Sequence, residues 1–291
     1  MKTLVTGGTG LIGSHIKGDY KFSSKDLPLT DIDIAKNIIK KLNVDRIIHC
    51  AAVQKNGSTI ENNHFNHFYD NMIINFNILK IASDLNIKEI LSVSTINALP
   101  DVDNCDETEL HSGAPRKELY SDGFVNRMLV AASQTLSEES DVRTLYPLLT
   151  NIYGPSNKPM NGIIPFFIKK CIECKNENKD LDILGDGSPV RDFIFVEDLD
   201  NIFNWMFDNY FENEPLIVST GVGVTIKEIV NLIVKYVDFE GKVNWIKDER
   251  FTGTDIKVFN NKKLKTINPD IKFTSLENGI KKTVEWYLNN G

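Results

Sequence analysis

The sequence predicts an α/β protein: a doubly wound parallel sheet with a smaller α/β lobe. Three observations predict it. Short apolar runs of strand length alternate with amphipathic stretches of helical period through the first half. The first such run, Thr3 to Thr6, leads at once into a glycine-rich turn and a helix. After Tyr153-Gly154-Pro155 the texture changes to a proline-bearing loop followed by less regular elements, as expected of a second lobe.

Taken in order, Thr3 to Thr6 reads as a buried strand, and a short helix follows from Leu11 to Lys17. Tyr20-Lys21-Phe22 reads as a weak second strand. Asp31 caps a helix with Ile34, Ile38, Ile39 and Leu42 at helical spacing, and Arg46 to His49 follows as a strand. A long helix from about Asn66 to Leu85 precedes a strand from Glu89 to Ser94. Another helix, from about Tyr120 to Leu136, precedes a strand from Val142 to Tyr146. Strands alternating with helices in this way imply crossovers that cover both faces of a parallel sheet. The later loop carries Pro155, Pro159 and Pro165, and Ile163 to Cys174, Thr225 to Tyr236 and Ser275 to Leu288 read as helices. The expected division is a dinucleotide-binding domain over residues 1–160, with 191–220 returning to it, and a lobe from 161–190 and 221–291.

Composition narrows the function. The 291 residues carry 33 Lys+Arg against 40 Asp+Glu, a formal charge of −7, and 41% are hydrophobic. That length is ample for a core, and the mild acidity argues against a nucleic-acid partner, which needs a basic stripe. No apolar run approaches the roughly 18 residues of a membrane span. The opening Met1-Lys2-Thr3-Leu4-Val5 runs straight into a strand without a signal-peptide hydrophobic region, so the expected location is cytoplasmic. Cys50, Cys105, Cys171 and Cys174 are too few for a disulfide framework, and the Cys171-Ile172-Glu173-Cys174 pair lacks the partners of a zinc site. It reads as helix packing, and no metal site is expected.

The turn Thr6-Gly7-Gly8-Thr9-Gly10-Leu11-Ile12-Gly13 carries the first chemistry. Glycines 7, 10 and 13 allow a tight turn, close approach of a pyrophosphate and close helix–sheet contact, and the helix N-terminus offers free N–H groups. This is the Rossmann-type dinucleotide signature, and Gly7, Thr9, Gly10, Leu11 and Ile12 are its candidate cofactor contacts. At the end of the second strand, Ser23, Ser24 and Lys25 suit a ribose 2′-phosphate, hence NADP, while the neighbouring Asp26 keeps NAD open.

Further segments align in order. His49-Cys50-Ala51-Ala52, Asn62-Asn63 and Phe68-Tyr69-Asp70-Asn71-Met72 are followed by Thr150-Asn151-Ile152-Tyr153-Gly154-Pro155. Gly185-Asp186-Gly187-Ser188-Pro189-Val190-Arg191-Asp192-Phe193 and Ser219-Thr220-Gly221-Val222-Gly223-Val224-Thr225-Ile226 complete the series. Together they resemble the extended short-chain dehydrogenases/reductases that act on nucleotide sugars, and within them the GDP-L-fucose synthase family. The resemblance runs over nearly the whole chain. It implies that Ala51 and Ala52 lie under the cofactor and that Arg191 grips the diphosphate of the substrate. It also implies that Asn97, Asn151, Lys170 and Lys257 (after a Gly253-Thr254 pair) are substrate contacts, and that two long helices pair across a homodimer. Lys169 and Lys170, a basic pair, each read equally well as a solvated face.

In the resembled families a Ser/Thr, a Tyr and a Lys four residues after the Tyr carry hydride chemistry. Thr95 and Tyr120 match the first two and are the candidate catalytic residues, with Tyr120 also touching cofactor; position 124 is Phe. An i, i+4 spacing puts that residue beside the Tyr, where an ammonium would hold the nicotinamide ribose and lower the phenol pKa. A phenyl ring does neither, and Arg127 lies nearly two turns away. Two positions that resemble the family's epimerising Cys and His are Asn97 and Gly162, neither able to exchange a proton near neutral pH. His111, the histidine nearest in sequence to Tyr120, reads as a loop residue.

Direction then matters. Reducing a ketone requires the phenol to give up a proton, and a phenol of ordinary pKa, about 10, is neutral at pH 7. Oxidising an alcohol requires the phenolate, about one part in a thousand. The expectation is an NAD(P)H-dependent reductase of a 4-keto (6-deoxy) sugar nucleotide, GDP-linked, without C3/C5 epimerisation. The alternatives are a catalytically silent, cofactor-binding partner subunit and a nucleotide-sugar 4-epimerase or dehydratase.

Overall fold

In the computed structural model, which describes residues 1–53, 64–101, 105–157, 162–248 and 256–290, β1 (Thr3–Thr6) is buried at all four positions, as befits a strand covered on both faces. α1 (Leu11–His15), β2 (Tyr20–Phe22), α2 (Ile32–Leu42), β3 (Arg46–His49), α3 (His64–Asp84), β4 (Glu89–Ser92) and β5 (Ser94–Thr95) follow. After a long connection come α4 (Tyr120–Glu139), β6 (Arg143–Leu145), β7 (Pro147–Leu149) and β8 (Asn151–Tyr153). Next are α5 (Ile163–Glu177), β9 (Leu181–Leu184), β10 (Val190–Arg191), β11 (Phe193–Phe195), α6 (Asp198–Asn209) and β12 (Leu216–Val218). β13 (Val224–Thr225), α7 (Ile226–Val237), β14 (Val243–Ile246), β15 (Ile256–Lys257), α8 (Lys262–Ile267) and α9 (Leu276–Asn290) complete the described chain.

Asp31 caps its helix as read, and the structure adds further caps. Asp31 accepts from the Ile34 amide at 3.0 Å, and Asn43 closes α2 in the left-handed region. Thr225 and Glu228 form a reciprocal capping box on α7. Some ends differ from expectation. α1 stops at His15, because Ile16 turns extended and is buried in the core. α5 runs past Cys174 to Glu177, where Asn178 adopts φ 51° and ends it. The strand expected from Glu89 to Ser94 is two pieces broken at Val93, because β4 pairs with β3 and β6 whereas β5 pairs with β7. Asn62, Asn63, Pro159, Gly253 and Thr254 lie outside the described residues.

β2, β1, β3, β4 and β6 lie side by side in that order, every pair parallel. Val93 alone separates β4 from β5 and Tyr146 alone separates β6 from β7, so the set β5–β7–β12 continues these strands to a far edge. Successive side chains of a strand point to opposite faces. Leu4, Ile47 and Ile90, in register across β1, β3 and β4, pack with Ile39, Ile78, Ile81 and Leu129 of α2, α3 and α4. Their neighbours Val5, Ile48 and Leu91 face the other way, onto Phe203 and Met206 of α6. A separate cluster joins Ile164, Ile168 and Cys171 of α5 to Ile183, Ile229, Ile233 and Val284. There burial pushes the Cys171 thiol up to about 11, and Cys171 and Cys174 are both free thiols. No helix among the described residues is long and apolar enough to cross a membrane.

β1 has the next strand in sequence, β2, on one side and β3 on the other. Strand order reverses there. The carboxyl ends of β1 and β3 therefore flank the crevice in which open α/β sheets take ligands.

Candidate active site

The glycine turn closes that crevice. Gly7 has φ +65°, and a Cβ there would stand 2.7 Å from the carbonyl carbon of Cys50 at the end of β3. A Cβ on Gly13 would stand 2.4 Å from the Gly7 oxygen. Both positions exclude a side chain, which brings backbone rather than side chains to the crevice. Gly10 caps α1 with no side chain over its first amides, and the Leu11 and Ile12 N–H groups lack intrahelical acceptors. Thr9 is exposed at the turn, and Leu11 and Ile12 are half-buried against the core. These residues fit a dinucleotide pyrophosphate.

Beneath the turn runs a buried polar spine. Thr6 Oγ1 lies 2.8 Å from His49 Nδ1, and His49 Nε2 lies 3.1 Å from Asn75 Oδ1. An amide oxygen only accepts, so Nε2 carries the proton and Nδ1 accepts from the Thr6 hydroxyl. Burial pushes the His49 pKa down to about 4, and it raises that of the adjacent Cys50 thiol to about 12. The Ala51 amide donates to Thr6 Oγ1 at 3.3 Å. Asn71 on α3 accepts from the Val53 amide at 2.9 Å and donates to the Val53 carbonyl at 3.1 Å. That fixes the chain just past Ala51 and the exposed Ala52.

At the end of β2, Asp26 Oδ2 accepts from both the amide and the hydroxyl of Ser23, at 2.9 and 2.6 Å, which holds its carboxyl below the usual range. Ser24 and Lys25 stand exposed at the tip of that turn.

The hydroxyl pair belongs to the end of β5 and the start of α4. Thr95 Oγ1 accepts from the Asn97 amide at 3.3 Å. Tyr120 opens α4 and is 55% exposed. Two side-chain pairs dock the first turns of α4 onto residues 94–97. Ser94 Oγ donates to Asn126 Oδ1 at 3.1 Å, and Asn97 Nδ2 donates to Asp122 Oδ2 at 2.9 Å. Gly123 permits the approach, since a Cβ there would meet the Asn97 carbonyl oxygen at 2.6 Å.

Phe124 lies against Tyr120, ring centroids 4.6 Å apart and planes tilted by 56°. Its other neighbour is Arg127, whose guanidinium carbon is 5.5 Å from the Phe124 centroid. Arg127 is buried and donates to the carbonyls of Ala98 and Gly113. This cation is committed to holding the connection before α4, so it does not replace the missing ammonium. His111 is exposed on that connection.

On the substrate side, Arg191 of β10 and Lys257 of β15 are partners in parallel register, which places two cations on neighbouring strands about 4.8 Å apart. Asn151 donates to the Asp192 carbonyl at 2.8 Å. The Asp192 carboxylate, fully buried, accepts from the Ser219 and Thr220 hydroxyls and from the Gly221 amide at 3.0 Å. It thereby ties the Arg191 segment to the 219–221 turn. Lys170 is bonded elsewhere, donating to the Asp182 carbonyl on β9. Lys169 pairs at 3.8 Å with Glu173 on the exposed face of α5. No cluster of three or more metal-ligating side chains occurs among the described residues.

Asp122, Asn126 and the anchoring role of Asp192 emerge only from the structure. The Asn71 and Asp192 contacts had a signal in the motifs around them; the Asn97–Asp122 and Ser94–Asn126 pairs had none.

Comparison with known proteins gives the same outline. Residues 3–221 match the NAD dependent epimerase/dehydratase family. The chain is 30% identical to the GDP-L-fucose synthase of Dictyostelium discoideum over 99% of its own length and 95% of that protein. It is 27% identical to the probable GDP-L-fucose synthase of Drosophila melanogaster, over 99% and 98%. Among solved structures, the GDP-L-fucose synthetase of Naegleria fowleri bound to NADP superposes with a TM-score of 0.91 at 28% identity, covering 99% of this chain and 92% of that one.

Proposed function

The chain belongs to the NAD dependent epimerase/dehydratase family, and from that premise we propose that it reduces a GDP-linked 4-keto-6-deoxy sugar with NADPH and leaves C3 and C5 uninverted. One observation carries the reading. The end of the sheet keeps the Thr95/Tyr120 hydroxyl pair while Phe124, Asn97 and Gly162 take the positions of the ammonium, thiol and imidazole.

When bound, the reduced dinucleotide supplies the hydride. The protein's own part is to hold and protonate. Gly7, Thr9, Gly10, Leu11 and Ile12 form the phosphate cradle, and Ala51 and Ala52 the floor. Ser23 occupies the Asp26 carboxylate, which leaves Ser24 and Lys25 for a 2′-phosphate and favours NADP over NAD. Arg191 and Lys257 offset the two phosphate charges of the substrate, Arg in a planar fork and Lys as a point charge. Asn151 joins them from the neighbouring β8, whereas Lys170, held by the Asp182 carbonyl, would have to leave that bond to reach the substrate. Thr95 donates a hydrogen bond to the ketone oxygen, and Tyr120 passes its proton to that oxygen as negative charge develops there. Phe124 cannot stabilise a phenolate, so a cycle that begins by removing a proton is disfavoured. That argues against 4-epimerisation and dehydration. Full-length likeness to fucose synthases favours turnover over a silent partner subunit.

In this reading residues 1–160 with 191–220 form the cofactor-binding domain, which also lends Arg191, Asn97 and Asn151 to the substrate, and 161–190 with 221–291 form the sugar-nucleotide lobe. Phe65, Tyr69 and Phe76 on α3 and Met128 on α4 are exposed on adjoining helices, which supports a homodimer joined there. Four free thiols suit the reducing cytoplasm. The test is NADPH oxidation at 340 nm with GDP-4-keto-6-deoxymannose. Turnover is expected; none with this or other 4-keto sugar nucleotides at high enzyme ends the reading.

A further inference from the structure

Asn97 lies between the two reacting residues along the chain and bridges the elements that carry them. Its backbone amide bonds Thr95 Oγ1, and its carbonyl abuts Gly123 in the first turn of the helix that Tyr120 opens. Its side chain has a fixed polarity. A carboxylate only accepts, so the group turned to Asp122 Oδ2 at 2.9 Å must be the amide NH2. Asp122 is itself held, because Asn126 donates to its carbonyl at 2.9 Å and to Oδ1 at 3.3 Å, while Asn126 is tied to Ser94. The amide therefore cannot flip without leaving a carboxylate facing a carbonyl oxygen. Its Oδ1 accepts no hydrogen bond among the described residues, and Asn97 is half-buried. An acceptor so oriented and still open to solvent is available to a donor that a bound molecule brings.

We infer that Asn97 Oδ1 accepts a hydrogen bond from the hydroxyl on the carbon next to the reacting ketone, and that Asp122 is the positioning residue that aims it. The inference rests on the 4-ketoreductase reading. Of the two carbons flanking a C4 ketone in a hexopyranose, C5 bears the ring oxygen and C6, whereas C3 bears a hydroxyl. With the ketone oxygen on Thr95, the C3 hydroxyl is the neighbouring donor, and Asn97 lies two residues further on. The amide holds the O–H while having no basicity to take the C3–H. The protein thus selects sugars that keep their 3-hydroxyl and binds them without inverting the carbon that carries it. Once the substrate covers it, this acceptor gives up water and, facing a 3-deoxy sugar, gains no donor in return, so the 3-deoxy sugar is discriminated against.

The experiment is a cycle between protein and substrate. NADPH oxidation is measured for the wild type, Asn97→Ala and Asp122→Asn, each with a GDP-4-keto-6-deoxyhexose and with its 3-deoxy counterpart. The wild type should favour the 3-hydroxy sugar by about 10- to 100-fold in kcat/KM, the effect of one lost hydrogen bond. Asn97→Ala should lose that preference by slowing the 3-hydroxy sugar alone. Asp122→Asn should raise KM for the 3-hydroxy sugar more than it lowers kcat, with the 3-deoxy sugar nearly unaffected. A wild type that turns over both sugars equally, or variants that slow both by the same factor, would overturn the inference and leave the reductase reading standing. No turnover of either sugar by the wild type would remove both.

Discussion

The two halves of the crevice are built by opposite means. At β1 and β3 the backbone itself is the binding surface: Gly7 and Gly13 admit no side chain, Thr6, His49 and Asn75 satisfy one another beneath it, and Asn71 ties the Val53 backbone. At β5 and α4 the surface is made of side chains. Thr95 and a half-exposed Tyr120 are held in place by the Asn97–Asp122 and Ser94–Asn126 pairs. The first half tolerates little substitution because its geometry is steric. The second can change its chemistry at constant shape, since Phe124 fills the space beside Tyr120 and takes no part in the Asn97–Asp122 and Ser94–Asn126 hydrogen bonds. Dinucleotide binding is therefore a property of the fold, and the direction of proton traffic is a property of a few side chains.

The sharpest test of this contrast is Tyr120→Phe. It should lower kcat by about 10²- to 10⁴-fold, the usual span for losing a general acid. The NADPH Kd, read by fluorescence titration, should stay within about threefold. A Kd that collapsed with kcat would mean the two halves are not separable. The converse is Gly13→Val, whose branched side chain has no room against the Gly7 oxygen. It should weaken NADPH by at least about 100-fold, whereas Gly10→Ala, with its nearest contact at 3.2 Å, should cost less than about tenfold. Circular dichroism separates a binding defect from an unfolded chain.

The buried spine makes a pH statement. His49 is held near pKa 4 in the fold, against 6.5 when exposed. On acidification the unfolded chain takes up the proton first. The stability is fully present above pH 6.5, is lost between 6.5 and about 4, and changes no further below. A shift of that size corresponds to about 3 kcal/mol. Urea unfolding across this window should show the loss, and His49→Gln should flatten it. An unchanged slope in the variant would assign the acid sensitivity to other groups.

The smallest effect, and the most instructive, is that of Phe124→Lys. An ammonium beside Tyr120 stabilises the phenolate, so alcohol oxidation at pH 7 should rise about tenfold for each unit by which the phenol pKa falls, with ketone reduction changing less. No change in either direction would favour a subunit that never turns over.

Much of the first half was legible in the sequence. The glycine turn is a local steric pattern, strand and helix alternation is a local period, and Asp31 and Thr225 announce their helices within one turn. The candidate catalytic pair was legible only through resemblance, because nothing local distinguishes Thr95 from any threonine after a strand. What escaped were pairings between distant segments. Asn97 with Asp122, Asp192 with the 219–221 turn, and the register of Arg191 against Lys257 depend on how β5, α4, β10 and β15 come together. A residue type alone does not specify its partner. Arg127 shows the same limit from the other side: at i+7 from Tyr120 it is the nearest helical cation, yet it is consumed by the carbonyls of Ala98 and Gly113.

The central claim, hydride delivery to C4 with C3 and C5 left alone, is tested most directly by running the reaction in D2O. The protein, NADPH and GDP-4-keto-6-deoxymannose are incubated together, and the sugar product is read by NMR. The account expects one NADPH consumed per product, a C4 proton from the cofactor, and ordinary hydrogen retained at C3 and C5. Deuterium washed into C3 or C5 during turnover, or a sugar recovered unreduced with NADPH intact, would contradict it.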